Sequence, residues 1–300
     1  MPEPAAAKPT FSTLALGLAC GVATVVCWAA GLVAAKHGIA SGLGPADIAF
    51  HRNVWAGLLL TPALALRGEL HNLGGIGWRR GFILMVLGGI PFSILSYTGF
   101  LLVPLGHGGV IQPSCAALGG TLLSALVLRE AMPAARFVGA AAIVAGLMLL
   151  GWEALATIGS HGIVGDLTFA GAGISFAVFA LLLRMWRISP MRAVVVVSIV
   201  SLVCVPFYWA IVGFERMIAA GWFENLLQFA VQGVLAGAAA IYLFTRSVVL
   251  LGPARAALFP ALVPAVTMLI GFLTLGEVPT LIQLAGLVVV GLGFRLAMKS

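Results

Sequence analysis

The sequence predicts an all-α membrane protein with ten transmembrane helices in two inverted five-helix repeats. Three observations carry this prediction: an extreme apolar composition, a one-sided distribution of cations and an internal repeat. Of 300 residues, 62% are hydrophobic and 8% charged, against roughly 45–50% and about 25% in soluble domains. A bilayer core takes about 20 mostly apolar residues per helix. The chain therefore has room for roughly ten spans joined by short loops, with the lipid bilayer as its main solvent.

A net charge of +7 raises the question of nucleic-acid binding, which relies on clustered Lys and Arg. Here the cations stand singly between apolar runs, the distribution that orients a membrane protein, so no nucleic-acid partner is expected. Cys20, Cys27, Cys115 and Cys204 all lie inside apolar runs, where free Cys behaves as a small hydrophobe. No paired metal-ligand spacing is present; neither a metal nor another cofactor is expected.

Residues 1–13, rich in Pro and Ala, lack an apolar period and read as a cytoplasmic tail. The run from Leu14 to Ala35 carries no charge and is longer than the apolar core of a cleaved signal, so it reads as a retained first span. Further spans are predicted at 46–66, 81–103, 108–128, 134–151, 163–183, 193–213, 226–245, 256–275 and 280–297. The second, sixth and tenth contain Arg52, Asp166 and Arg295.

Orientation follows from the cations. With the termini and the even-to-odd loops on one side, that side collects thirteen of the sixteen, and only Lys36, Arg52 and Arg216 fall on the other. The positive-inside rule then makes both termini cytoplasmic, in a multi-pass protein of the cell inner (plasma) membrane.

Shifting the chain by 147 residues lays Pro113 on Pro260, Glu130 on Glu277, Gly139 on Gly286 and Gly146 on Gly293. A shift of 148 lays Gly17 on Gly165 and Trp28 on Phe176. The repeats are predicted at 14–152 and 153–300. Five spans per half is an odd number, so the second half enters the membrane from the opposite side. Inverted repeats of this kind place the substrate site near the midplane where the halves meet.

Trp28 in span one, Phe50-His51-Arg52 at the start of span two, and the turns at Glu130 and Glu277, each followed by a Gly-bearing helix, appear in that order. On these residues each half resembles one domain of the drug/metabolite transporter superfamily, the EamA type with ten helices, over residues 14–297. The resemblance implies a secondary transporter exporting small metabolites by alternating access. It is nearest to the aromatic amino acid exporter branch, with amino acids, aromatic and other neutral, as substrates. Export of drugs, nucleotide sugars or carboxylates is the alternative within the superfamily, and a membrane-embedded enzyme the alternative outside it. No phosphate loop, HExxH pair or GxSxG elbow is present, so no enzymatic activity is expected and transport must run on gradients. Proton antiport and facilitated diffusion both stay open, as do monomer and homodimer. The resemblance also makes Glu130 and Glu277 the family's acidic turn residues, where a carboxylate stabilises a helix amino terminus by about 0.3–1 kcal/mol; proton coupling is the other reading.

Several groups of residues are candidates for the site or its support. Gly139 and Gly146, like Gly286 and Gly293, are seven apart and share a helix face, suited to close packing. Pro91, Pro113, Pro260 and Pro264 should interrupt spans three, four and nine, and such breaks need neighbours or cavity water. In span eight Gln228, Gln232, Ala239, Tyr242 and Arg246 fall on one helical face; this stripe either lines a cavity or bonds between helices. Spans one, three, four, six and nine add Thr24 and Trp28, Ser93, Tyr97 and Phe100, Gln112, Phe176 and Phe179, and Phe259. Apolar walls with a few directed polar groups suit a small-molecule site. The predicted substrate-binding set is Trp28, Ser93, Tyr97, Gln112, Phe176, Phe179, Gln232, Tyr242 and Phe259. Arg52, beside Lys36, His37 and His51, and Arg246 are candidates for gating or coupling, with snorkelling as the plainer alternative for each. Asp166 reads as a helix amino-terminal carboxylate.

Overall fold

A computed structural model describes residues 11–103, 105–129, 134–150, 152, 163–251, 259–263, 266–267, 269–270, 273 and 280–298. All regular structure among them is helical. The elements are α1 (Phe11–Ala40), α2 (Pro45–Ala65), α3 (Trp78–Leu102), α4 (Leu105–Val127), α5 (Ala134–Leu150), α6 (Ile163–Met185), α7 (190–211), α8 (Glu215–Leu251) and α10 (Leu281–Met298). Between the last two lies α9, described over Phe259–Leu262 and at scattered helical positions to 273. Five of these, α1, α3, α6, α7 and α8, are long and apolar enough to cross a membrane. Large apolar side chains such as Leu281, Ile211 and Trp222 point outward, as a lipid-facing surface requires.

Local chemistry sets the ends. Gly42, with φ +95°, turns the chain out of α1. Pro45 then opens α2 where its missing N–H costs nothing, and the Asp47 carboxylate accepts the Gly44 N–H at 2.6 Å. At α10, Thr280 and Gln283 cap each other: the Gln283 N–H reaches Thr280 Oγ1 at 3.3 Å and the Thr280 N–H reaches Gln283 Oε1 at 3.0 Å. This reciprocal pair satisfies two donors that the helix start would leave orphaned.

The breaks only partly follow the prolines. α3 breaks at Gly89, and Pro91 sits in the first turn of its second piece. Glycine fits the break because a Cβ at position 89 would meet the Met85 carbonyl oxygen at 2.6 Å and Ser201 Oγ and Val197 of α7 at 3.0 Å. α7 tightens into a 3-10 turn over Leu202–Cys204 just before Pro206. α4 runs without interruption through position 113, so the break predicted there is absent. Pro264, Glu130 and Glu277 lie outside the described residues, as does the Pro260 side chain.

The packing has the two-fold pattern that the repeat implies. α1 packs along α8 as α6 packs along α3, while α2 meets α7 and α5 meets α10 as pairs related to themselves. One apolar core, with Leu84, Met85, Val196 and Val200, lies between α3 and α7. A second, with Ile48, Phe50, Tyr97, Tyr208 and Met217, closes the opposite end around the start of α2.

Candidate functional site

Polar side chains buried among apolar helices are costly unless paired, so their placement marks where the bundle is built for something other than packing. The largest concentration lies where α1 and α2 meet the first half of α8.

Geometry inside α8 creates it. Gly221, at φ +83°, breaks the helix after its first turns, and an i→i+5 ladder runs over Phe229–Ala239 before ordinary α-helix resumes. Small residues permit the close approach: a Cβ on Gly233 would meet Trp55 Cβ at 2.5 Å and one on Gly237 would meet Ala56 Cβ at 2.9 Å. The wider π ladder takes more residues per turn than an α-helix, and such segments recur at functional sites.

The same ladder splits the predicted stripe. Gln228 and Gln232 are both fully buried, but Tyr242 is 59% exposed and Arg246 is exposed beside it. The five residues therefore do not share one face. The buried line instead runs backward along α8, from Gln232 through Gln228 to Glu224.

Each member of that line is bonded to another helix. Gln232 Nε2 donates to the Gly31 carbonyl at 2.7 Å, and its Oε1 accepts from Arg52 Nη1 at 3.4 Å. Gln228 Nε2 donates to the Ala34 carbonyl at 2.7 Å and to Glu224 Oε1 at 2.8 Å. Glu224 Oε2 lies 3.0 Å from His37 Nδ1 at the end of α1. Interhelical hydrogen bonds in membranes are worth about 0.6–2 kcal/mol each, so the line holds α1 to α8 while remaining breakable.

A second chain runs from α2 to the Gly221 hinge. Trp55 Nε1–H, which can only donate, reaches His51 Nδ1 at 2.9 Å. The neutral His51 ring therefore carries its proton on Nε2, which donates to Asn225 Oδ1 at 3.2 Å. Asn225 Nδ2 donates in turn to the carbonyls of Met217 and Gly221. Nearby, Asp47 Oδ1 accepts from the Tyr208 hydroxyl, and Asn53 Nδ2 reaches Ser93 Oγ at 3.1 Å.

The remaining predicted residues distribute as follows. Trp28 is half-buried on α1, its ring 5.6 Å from Phe244. Thr24, fully buried one turn earlier, bonds the Cys20 carbonyl at 2.9 Å. Ser93 and Tyr97 are buried on α3 facing α2, and Phe259 is buried against Gly21. Gln112 is half-buried, with its backbone carbonyl against Gly173. Phe179 is buried over Gly88, while Phe176, stacked on it at 5.8 Å, is 46% exposed. Arg52, Gln232 and the α1 backbone come together; Ser93 and Tyr97 form a second group; Phe176, Tyr242 and Arg246 lie apart from both.

Sequence reasoning missed Asp47, Asn53, Glu224, Asn225 and the buried pair His107–Asp166, where His107 Nδ1 lies 2.7 Å from Asp166 Oδ1. The spacing of Glu224, Gln228 and Gln232 at i, i+4 and i+8 was a usable signal, hidden because a start at 226 left the first outside the span.

Two oppositely inserted helical halves with a polar seam between them define a multi-pass membrane transporter for small molecules. The EamA-like transporter family matches residues 15–152 and 163–298, and the chain belongs to that family, within the drug/metabolite transporter superfamily. No curated protein matches it. A crystal structure of a protein is similar in fold, with a TM-score of 0.70 and 16% identity over 94% of this chain and 96% of that one.

Proposed function

We propose that the chain is a secondary carrier that exports amino acids, aromatic and other neutral ones, from the cytoplasm by alternating access. The observation that carries this reading is the polar seam of α1, α2 and α8. Gln232, Arg52 and the Gly31 carbonyl are linked there across helices of opposite halves, near where inverted repeats hold substrate. Rocking of one half against the other would break and remake those bonds. Trp28 and Phe244 beside the seam supply an apolar wall suited to an aromatic or aliphatic side chain.

The sixteen cations, thirteen of them on the side of the termini, support a plasma-membrane location with both termini cytoplasmic. Labelling of a cysteine at Lys299 in intact cells by an impermeant reagent would contradict that orientation.

Proteoliposomes preloaded with unlabelled amino acid should take up labelled phenylalanine, leucine or a related neutral amino acid by saturable counterflow. Repeating the assay with and without a pH gradient separates proton exchange from facilitated diffusion. Linear, unsaturable flux, or no counterflow with any amino acid, would overturn the proposal.

A further inference from the structure

Arg52 is the eighth residue of α2, about 10 Å along the helix from its start at 1.5 Å per residue. A guanidinium at that depth is expensive, and cations inside membrane bundles pair with an anion or face a water-filled path. Arg52 is half-buried, and its hydrogen bond goes to a neutral amide, Gln232 Oε1, at 3.4 Å, the long end for an N–H donor.

The carboxylates described near it are committed elsewhere. Asp47 accepts the Gly44 N–H and the Tyr208 hydroxyl. Glu224 is held by His37 and Gln228. Among the described residues, no carboxylate is paired with the Arg52 guanidinium.

Small residues border it: a Cβ on Gly31 would meet Ala236 Cβ at 2.8 Å and would lie 3.5 Å from Gln232 Oε1 and 3.7 Å from Arg52 Nη1, so the guanidinium meets the α1 backbone across the seam rather than an α1 side chain. Gln232 is pinned by its Nε2 to the Gly31 carbonyl, which keeps its Oε1 aimed at the guanidinium. Trp28 sits three residues before Gly31, on the same face of α1, with its ring beside Phe244. A cationic fork with an aromatic surface one turn away fits an organic acid whose carboxylate is joined to an apolar body.

We propose that Arg52 is the carboxylate-binding residue of the substrate site, taking the anion through two parallel N–H···O bonds. The carrier thereby selects substrates bearing a carboxylate over amides or amines of the same shape. The proposal rests on the transporter reading and deepens it, because it names the charged group that every substrate must share.

The test compares matched acid and amide probes: 3-phenylpropionate against 3-phenylpropanamide, hexanoate against hexanamide, and succinate against succinamide. Binding is read as thermal stabilisation of the full chain in detergent, and L-phenylalanine counterflow is measured in parallel. At least one acid should bind wild type about ten- to a hundredfold more tightly than its amide, the range of a charge-assisted hydrogen bond. Arg52→Gln should erase that preference. Arg52→Lys, which keeps the charge and tests the same point if the glutamine variant folds poorly, should weaken acid binding about tenfold because it lacks the planar fork. Amide bound as well as acid throughout, no probe bound, or an acid preference surviving in Arg52→Gln or undiminished in Arg52→Lys would each overturn the assignment. Absent phenylalanine counterflow with the acid preference intact would sink the amino acid reading and leave the anion site standing. Counterflow with no acid preference would do the reverse.

Discussion

Gly146 and Gly293 make the same contact from opposite halves of the molecule. A Cβ on Gly146 would sit 2.8 Å from the Gly286 carbonyl oxygen, and one on Gly293 would sit 2.8 Å from the Gly139 carbonyl oxygen. The four glycines are the two pairs matched by the 147-residue shift, so the α5–α10 crossing closes on itself as a two-fold axis demands. A second reciprocal contact agrees: a Cβ on Gly17 would meet Leu251, and one on Gly165 would meet Val103, each at 2.6 Å.

Symmetry of contact implies symmetry of damage. Gly146→Leu and Gly293→Leu should each destabilise the protein by about 1–3 kcal/mol through overpacking, because the obstacle is backbone rather than a movable side chain. Gly291→Leu, where nothing lies within 4 Å of an added Cβ, should leave stability unchanged. Thermal unfolding in detergent checks this; a large asymmetry between the two variants would contradict the reciprocal packing.

The π ladder makes a prediction within α8. Gln232 is fully buried and bonded to α1 and α2, while Tyr242 is largely exposed. Gln232→Ala should therefore cut flux at least about tenfold, as expected when a buried partner is lost, without loss of membrane insertion. Tyr242→Ala should cost much less. Equal losses in proteoliposome flux would restore the single-stripe arrangement read from the sequence.

That contrast shows what the sequence could and could not reveal. Apolar runs located the helices because a span is a local property: α1, α5, α6 and α10 lie within a few residues of expectation. The face of α8 was not legible, since a period of 3.6 presumes an α ladder, and the i→i+5 segment coincides with the close approach of Gly233 and Gly237 to Trp55 and Ala56 of another helix. The start of α8 was misplaced for a related reason. Glu224 and Asn225 look like loop until Gln228, His37 and His51 are seen to satisfy them. Partners such as Asp47 and Tyr208, 161 residues apart, leave no local trace. The sequence signals for Arg52 were its charge inside a span and its place in the Phe50-His51-Arg52 run; that its hydrogen bond goes to an amide rather than to a carboxylate required the fold.

The relay from Trp55 through His51 to Asn225 couples α2 to the Gly221 hinge, and a double-mutant cycle measures it. His51→Phe and Asn225→Ala should each lower stability, and the pair together should lose less than the sum. The coupling should be about 0.6–1.7 kcal/mol, the range for hydrogen bonds between membrane helices. Strict additivity in thermal or denaturant unfolding would mean that the hydrogen bond contributes nothing to holding the hinge.

The buried pair His107–Asp166 joins the starts of α4 and α6, and both residues are almost completely enclosed. Removing one member of a buried, hydrogen-bonded ionisable pair costs about 3–5 kcal/mol. His107→Phe should therefore destabilise the protein by about that amount. Asp166→Asn, which keeps an acceptor oxygen facing the ring, should cost less, because a neutral amide carries a smaller desolvation penalty than a carboxylate. Combining His107→Phe with Asp166→Leu should recover part of the loss, since apolar side chains then replace both halves of the buried pair. If the double variant were instead less stable than either single one, the two side chains would be contributing separately through their packing rather than by satisfying each other. Equilibrium unfolding of wild type, His107→Phe, Asp166→Leu, Asp166→Asn and the double variant, compared at the same pH and in the same detergent, distinguishes the two.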